Sequence, residues 1–363
     1  LRSTKHGGKS DRVGLSRPTI HFFSCLFVIF VANNPPMTSD AKLLSALRRA
    51  QDEFTTILDL AEIVGEPSDH VASRLSELRR LGFTIEERPH VGCRLIASPD
   101  ALVADDLQSR LNAKIIGAEI LVFQETESTN AIAERMALNG AREGLVIFAE
   151  SQTKGRGRMG RKWISPKGKG LWFSVMLRPQ FPPTAVTRLT ILTAVAVAQA
   201  IRETTGLDAR IKWPNDILVN GKKVAGILTE MLSEAHTIRH AIIGIGVDVR
   251  CAPQDFPPEV RAIATSLEHE ANTTLSRPEL AARILSLMDL YYATAHGHFE
   301  EIVDEWAGLC SSLGKRVNVA IGTRRIEGTA QALDGDGALL VRCDNGNVEK
   351  IVGGDLVLER AQL

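Results

Sequence analysis

The chain has 363 residues, 44% hydrophobic and 24% charged, enough apolar material for two or three packed domains. Lysine plus arginine equals aspartate plus glutamate at 43 each, which excludes a chain-wide polyelectrolyte role and makes any basic site local. Cys25, Cys93, Cys251, Cys310 and Cys343 are dispersed, odd in number and never paired as CxxC, a pattern of reduced thiols rather than a disulfide framework or zinc cluster. His236 with His240, and His296 with His298, have no carboxylate or cysteine at ligand spacing, so no metal site built from protein side chains is expected.

Residues 20–32, IHFFSCLFVIFVA, form an apolar run behind Lys5, Lys9, Arg12 and Arg17. The run is short for a membrane span and is followed by Asn33-Asn34-Pro35-Pro36 rather than a small-x-small cleavage site. With the first methionine at 37, residues 1–36 are expected to be a non-native or disordered extension. Residues 39–50 place Leu43, Leu44 and Leu47 on one helical face with Ser39 as N-cap. Residues 55–64 predict a second helix stopped by Gly65, and 67–81 a third that begins at a proline and ends before Gly82. A hairpin around Pro89 and Gly92 completes a winged helix-turn-helix over 37–100, with 67–81 as the recognition helix. Against DNA binding stands its charge, eight basic residues to ten acidic ones over 39–97.

From about 101 the texture alternates. Strands are expected at 119–124, 144–150, 171–177, 209–213, 224–232 and 240–249, and helices at 129–139, 184–203 and 278–295. After 311, short strands divided by Gly, Asp and Asn turns predict a small SH3-like β-barrel to the end of the chain. The fold class is mixed α+β: the winged helix, a central α/β domain over 101–310 and the terminal barrel over 311–363.

Residues 151–170, SQTKGRGRMGRKWISPKGKG, hold three arginines, four lysines and five glycines with no acidic residue, between two apolar strands. Glycine lets backbone amides approach a ligand, and arginine presents a planar fork to phosphate or carboxylate. The loop is therefore built to hold an anion, and a solvated basic loop on nucleic acid is the competing reading. A second motif, Lys212-Trp213-Pro214-Asn215-Asp216, ends an apolar strand ahead of an Asn220-Gly221 turn. Together GRGRMGRKW and KWPND resemble the biotin protein ligases, as do Ser128-Thr129-Asn130, AGIL at 225–228, GIGV at 244–247 and the DGDGALLV…IVGGDL ending. The resemblance spans residues 40–360 and is to the bifunctional ligase and biotin-operon-repressor kind.

That resemblance implies a cytoplasmic enzyme that uses ATP and biotin, with Mg2+, to form biotinyl-5′-AMP and to biotinylate a lysine of a biotin carboxyl carrier protein. Operator DNA and a ligand-dependent homodimer are implied partners, and a membrane is not. It assigns Ser128, Thr129, Asn130 and Gln152 to the ureido ring, and Arg156 and Arg158 to the biotin carboxylate and α-phosphate. Gly155 and Gly157 would let the loop close, Arg161 would serve the pyrophosphate, and Trp163 would stack on adenine. Lys212, with Arg156 and Arg158, would carry catalysis by neutralising charge in the transition state. Asp248 replaces an asparagine of the family's adenine contact and, while ionised, cannot donate a hydrogen bond. The alternatives are a biotinyl-AMP-sensing repressor with weak ligase activity, and a lipoate or octanoyl ligase, which would lack the GRGRxGRxW loop.

Overall fold

The structure is a computed structural model that describes residues 37–112 and 114–358; the expected extension over 1–36 lies outside the described residues. Three helices open it: α1 (Ser39–Arg49), α2 (Ile57–Val64) and α3 (Ser68–Arg80), followed by the antiparallel hairpin β1 (Thr84–Arg88) and β2 (Gly92–Ala97). The cap of α1 is Thr38, whose hydroxyl accepts from Ala41 N, and the expected cap Ser39 instead donates to Glu66. Leu43, Leu44, Leu47, Leu60, Val64, Val71, Leu75, Leu78 and Phe83 close a small core of their own. This follows from amphipathic spacing, since each helix buries one stripe. Arg74 is half-exposed and bonded to Glu66 and Asp40, and Arg79 bonds Glu87 and the carbonyl of Ile85. On this third helix Arg80 stands well exposed, paired with Glu77.

Next come α4 (Ala104–Ser109), β3 (Glu119–Phe123), α5 (Thr129–Leu138), β4 (Leu145–Ala149) and β5 (Gly170–Leu177). They lead to α6 (Thr187–Thr205), β6 (Arg210–Lys212), β7 (Asp216–Val219), β8 (Lys222–Glu234) and β9 (Thr237–Asp248). The seven strands form one sheet in the order β3-β4-β5-β9-β8-β7-β6, antiparallel except where α5 crosses from β3 to the parallel β4. Three more helices, α7 (Leu267–Ala271), α8 (Arg277–Thr294) and α9 (Phe299–Leu309), were not all foreseen: the spacing predicts only α8. Yet α9 buries Phe299, Ile302, Trp306 and Leu309 at helical intervals, while α4 and α7 are too short to set up a periodic signal.

The period of two in the strands divides the sheet's faces. Leu171, Phe173 and Val175 of β5, with Ile243, Ile245 and Val247 of β9, join α6, α8 and α9 in the main core. Twelve residues of α6 are buried, so a helix long and apolar enough to cross a membrane serves here as the core helix. The other face carries α5, packed through Ala133 and Ala137 on Ile147, Met176 and Ile242, and leaves the ends of β5, β8 and β9 uncovered by helix.

The C-terminal strands β10 (Arg316–Ile321), β11 (Arg324–Leu333), β12 (Leu339–Cys343), β13 (Val348–Ile351) and β14 (Asp355–Leu358) make a five-stranded antiparallel sheet in the order β13-β12-β11-β10-β14. A charge cluster fastens the connection after β2. Asp100 accepts from Arg250 and Arg277, and the almost fully buried Arg277 also donates to Glu150, at the end of β4, and to the carbonyl of Gly170, at the start of β5.

Candidate active site

On the face away from α6, alternation places Gly226 of β8 with Gly244, Gly246 and Asp248 of β9 side by side, forming a floor without side chains. A Cβ at Gly226 would come 2.8 Å from the Trp163 indole, and one at Gly246 would strike the same ring. A Cβ at Gly244 would strike the Asn130 amide. The glycines of GIGV and AGIL are thus the seats of two site residues. Above this floor lies a cavity of about 770 Å³, large enough for a ligand of nucleotide size.

The basic stretch 151–170 folds back on itself as a hairpin-like flap. Gln152 bridges to Ser165 and Arg156 to Lys162, and Gly157 N donates to Arg161 O at the tip. Arg156, Gly157, Arg158, Arg161 and Trp163 line the cavity. Gly155 does not line it; it lies beneath, where a Cβ would collide with the Trp163 carbonyl and meet Ser165 Oγ at 2.9 Å. Burial lowers the pKa of Arg158 against the opposing pull of Asp355 and Asp216. A desolvated guanidinium whose hydrogen-bond partners are neutral is poised for an anion.

Those partners connect the two motifs. Arg158 donates to Asn215 Oδ1 at 2.9 Å and to the Gly354 carbonyl, while Asn215 Nδ2 donates to the Ile227 carbonyl at 3.0 Å. Asn215 therefore locks the KWPND corner and carries the flap. The corner holds a cis Trp213–Pro214 bond, with Trp213 buried. Lys212, at the end of β6, lines the cavity with no carboxylate paired to it among the described residues. Asp216 is paired instead with Lys223, 2.5 Å away, whose ammonium lies 5.1 Å from the centre of the Trp163 ring. From the C-terminal sheet, Asp355 pairs with Arg161 and closes the cavity's outer edge.

At the opposite end Ser128, Thr129, Asn130 and Gln152 meet around α5. Ser128 occupies the N-cap position but makes no side-chain cap bond. Gln152 Oε1 accepts from Thr129 N at 2.9 Å and from its hydroxyl, and Gln152 Nε2 donates to Ser165. Ser174 donates to Asn130 Oδ1 and lies 2.7 Å from Thr129 Oγ1, and Asn130 Nδ2 donates to Glu230 at 2.7 Å. With its carbonyl and amino group both engaged, the Asn130 amide is fixed in orientation.

Asp248, at the far end of the floor, is 4% exposed. Burial pushes its carboxyl up to about 8, against smaller opposing effects of the Cys251 Sγ–H bond and of Lys223. The expectation that it cannot donate assumed an ionised group. Below about pH 8 the buried carboxyl keeps its proton and offers a donor and an acceptor, as asparagine does.

Residues 122–248 match the Biotin/lipoate A/B protein ligase family, and residues 312–358 match the Biotin protein ligase C terminal domain. The "Bifunctional ligase/repressor BirA" of Bacillus subtilis (strain 168) is 36% identical over 317 residues, covering 87% of this chain and 97% of its own. The chain belongs to the biotin protein ligase family. The Escherichia coli (strain K12) protein of the same description is 28% identical over 330 residues, 90% of this chain and 98% of its own. Among solved structures, the biotin protein ligase from Aquifex aeolicus in complex with biotin and ATP aligns with a TM-score of 0.58 at 29% identity, covering 67% of this chain and 99% of that one.

Beyond the residues that the biotin protein ligase motifs pointed to, the geometry brings in Asn215, Glu230, Ser174, Lys223 and Asp355. Asn215 stood in the quoted KWPND motif. Asp355 stood in the quoted ending without a role, and the others carried no motif signal.

Proposed function

We infer that this chain is an ATP-dependent biotin ligase that forms biotinyl-5′-AMP and transfers biotin to a lysine of a biotin carboxyl carrier protein. The observation that carries this reading is the convergence of Arg156, Arg158, Arg161 and Lys212 on one cavity floored by Gly226, Gly244 and Gly246. Ser128, Thr129 and Asn130 take the ureido ring, whose paired donors and acceptors suit a preset polar turn. Gln152 positions Thr129. Trp163 and Asp248 bind the adenine, and Arg161 receives the pyrophosphate once it has let go of Asp355.

A carboxylate oxygen of biotin attacks the α-phosphorus of ATP, the α–β phosphoanhydride bond breaks, and pyrophosphate departs. Lys212, Arg156 and Arg158 act by alignment and by neutralising the charge that builds on the α-phosphate. The carrier lysine, as a free amine, then attacks the acyl carbon and releases AMP. Among the described residues no cluster of three His, Cys, Asp or Glu side chains could hold a metal ion. Mg2+ would accompany the ATP phosphates and supply charge neutralisation there.

The helical module reads as a winged helix that presents His70, Ser73, Ser76 and Arg80 to operator DNA, and the terminal sheet as an SH3-like barrel. The ligase works in the cytoplasm, where ATP is at hand, and pairs as a homodimer on DNA when loaded with adenylate. Transfer of radiolabelled biotin to a carrier domain, with and without ATP, tests the central claim. Absence of ATP-dependent labelling would refute it, and transfer of lipoate in preference to biotin would favour the acyl-ligase alternative.

A further inference from the structure

Glu230 has no role in the reaction as written, yet its carboxylate is where the two halves of the site meet. Gly226, Leu228 and Glu230 alternate along β8, so Glu230 continues the floor toward the end where Asn130 lies. One oxygen, Oε2, accepts from Asn130 Nδ2 at 2.7 Å and from Arg156 at 3.2 Å. Asn130 is buried and fixed from its other side by Ser174, so it anchors the carboxylate. The Arg156 side chain is 44% exposed, and Glu230 is its ion-pair partner. Other cations of the flap are also matched to protein carboxylates: Lys154 to Glu127, Arg161 to Asp355 and Lys169 to Asp255. Arg158 has neutral hydrogen-bond partners.

We propose, resting on the ligase reading, that Glu230 is a positioning residue that holds Arg156 beside the biotin-ring end and yields it to the substrates' anionic groups. Substrate binding then exchanges one anion for another at Arg156, and Glu230 competes with that exchange. The Asn130 bond keeps the released carboxylate in place, so Arg156 returns to it when the products leave.

The test is KM for ATP in pyrophosphate release at saturating biotin, using the full chain, Glu230→Gln, Arg156→Ala and the double variant. Glutamine retains an acceptor for Asn130 and removes the competing charge. Glu230→Gln is expected to lower KM for ATP about two- to fivefold, the range of a half-exposed ion pair. That gain should shrink as salt is raised and vanish in the Arg156→Ala background. Thermal melting of each variant reports folding separately. An unchanged or raised KM in a folded Glu230→Gln protein overturns the proposal, as does an equal gain without Arg156. If the unsubstituted chain releases no pyrophosphate, the ligase reading itself falls and takes this proposal with it.

Discussion

Replacing Asp248 by asparagine should stabilise the protein, by an amount that grows with pH. An aspartate carboxyl ordinarily titrates near 3.8, whereas burial pushes Asp248 in the folded chain up to about 8. As pH rises past 3.8 the unfolded chain releases this proton, while the folded chain retains it until about pH 8. The folded state therefore binds more protons across that window, and stability falls as pH rises through it. Each pH unit in the window corresponds to about 1.36 kcal/mol, giving a cost of about 4 kcal/mol near pH 7 that levels off above about pH 8. Asparagine has nearly the same shape, accepts from Cys251 as the carboxyl does, and does not ionise. Urea denaturation of both proteins from about pH 5 to pH 8 measures the difference. The advantage of Asp248→Asn should widen by about 3 kcal/mol between about pH 5 and pH 7. A gap that does not move with pH would mean that the folded protein holds Asp248 as a carboxylate, and the argument for a neutral donor would fail.

Other consequences can be measured directly. Lys212→Ala should leave the protein folded and able to bind biotin but slow adenylate formation about 100- to 1,000-fold, the usual loss for a group acting on developing charge; pyrophosphate release within about threefold of the original would exclude that role. Gly246→Ala should drive the Trp163 indole off the floor, with a shift in tryptophan emission and a higher KM for ATP; an unaltered spectrum and KM would show that the seat is not needed. Footprinting on DNA upstream of biotin-synthesis genes should show protection of a two-fold site only with biotinyl-AMP present, because residues 39–97 carry a net charge of 8 − 10 = −2 and a single module attracts DNA weakly. Equal protection without the adenylate would refute ligand control.

The parts legible in the sequence were those whose signal is local. The strand runs at 171–177 and 240–249 appear as β5 and β9, offset by no more than three residues, because their alternate residues are buried in the main core with α6, α8 and α9 and the runs are correspondingly apolar. The glycine-rich flap and KWPND announced themselves by composition. Their joint, Arg158 on Asn215, did not, since 57 residues separate the two. Glu230 reaches Arg156 across 74 residues and Asp355 reaches Arg161 across 194, distances at which one sequence carries no pairing information. The charge state of Asp248 is not legible in the sequence for a related reason. It depends on burial beside Cys251 at the end of a floor, and residue type alone suggests an ionised group.

The cluster around Arg277 bears on where this polypeptide can be divided. The change of texture near residue 101 invites a cut there to release the ligase from the helical module. Such a cut removes Asp100, which accepts from both Arg250 and Arg277. Arg277 would keep Glu150, and Arg250 would keep Glu268, but each buried or half-buried guanidinium would lose a carboxylate that water cannot fully replace. Because Glu150 and Gly170 bracket the flap, the damage would reach the substrate loop from outside the cavity. A fragment that retains Asp100 keeps its seam closed; the border drawn by composition runs through the middle of an ionic joint.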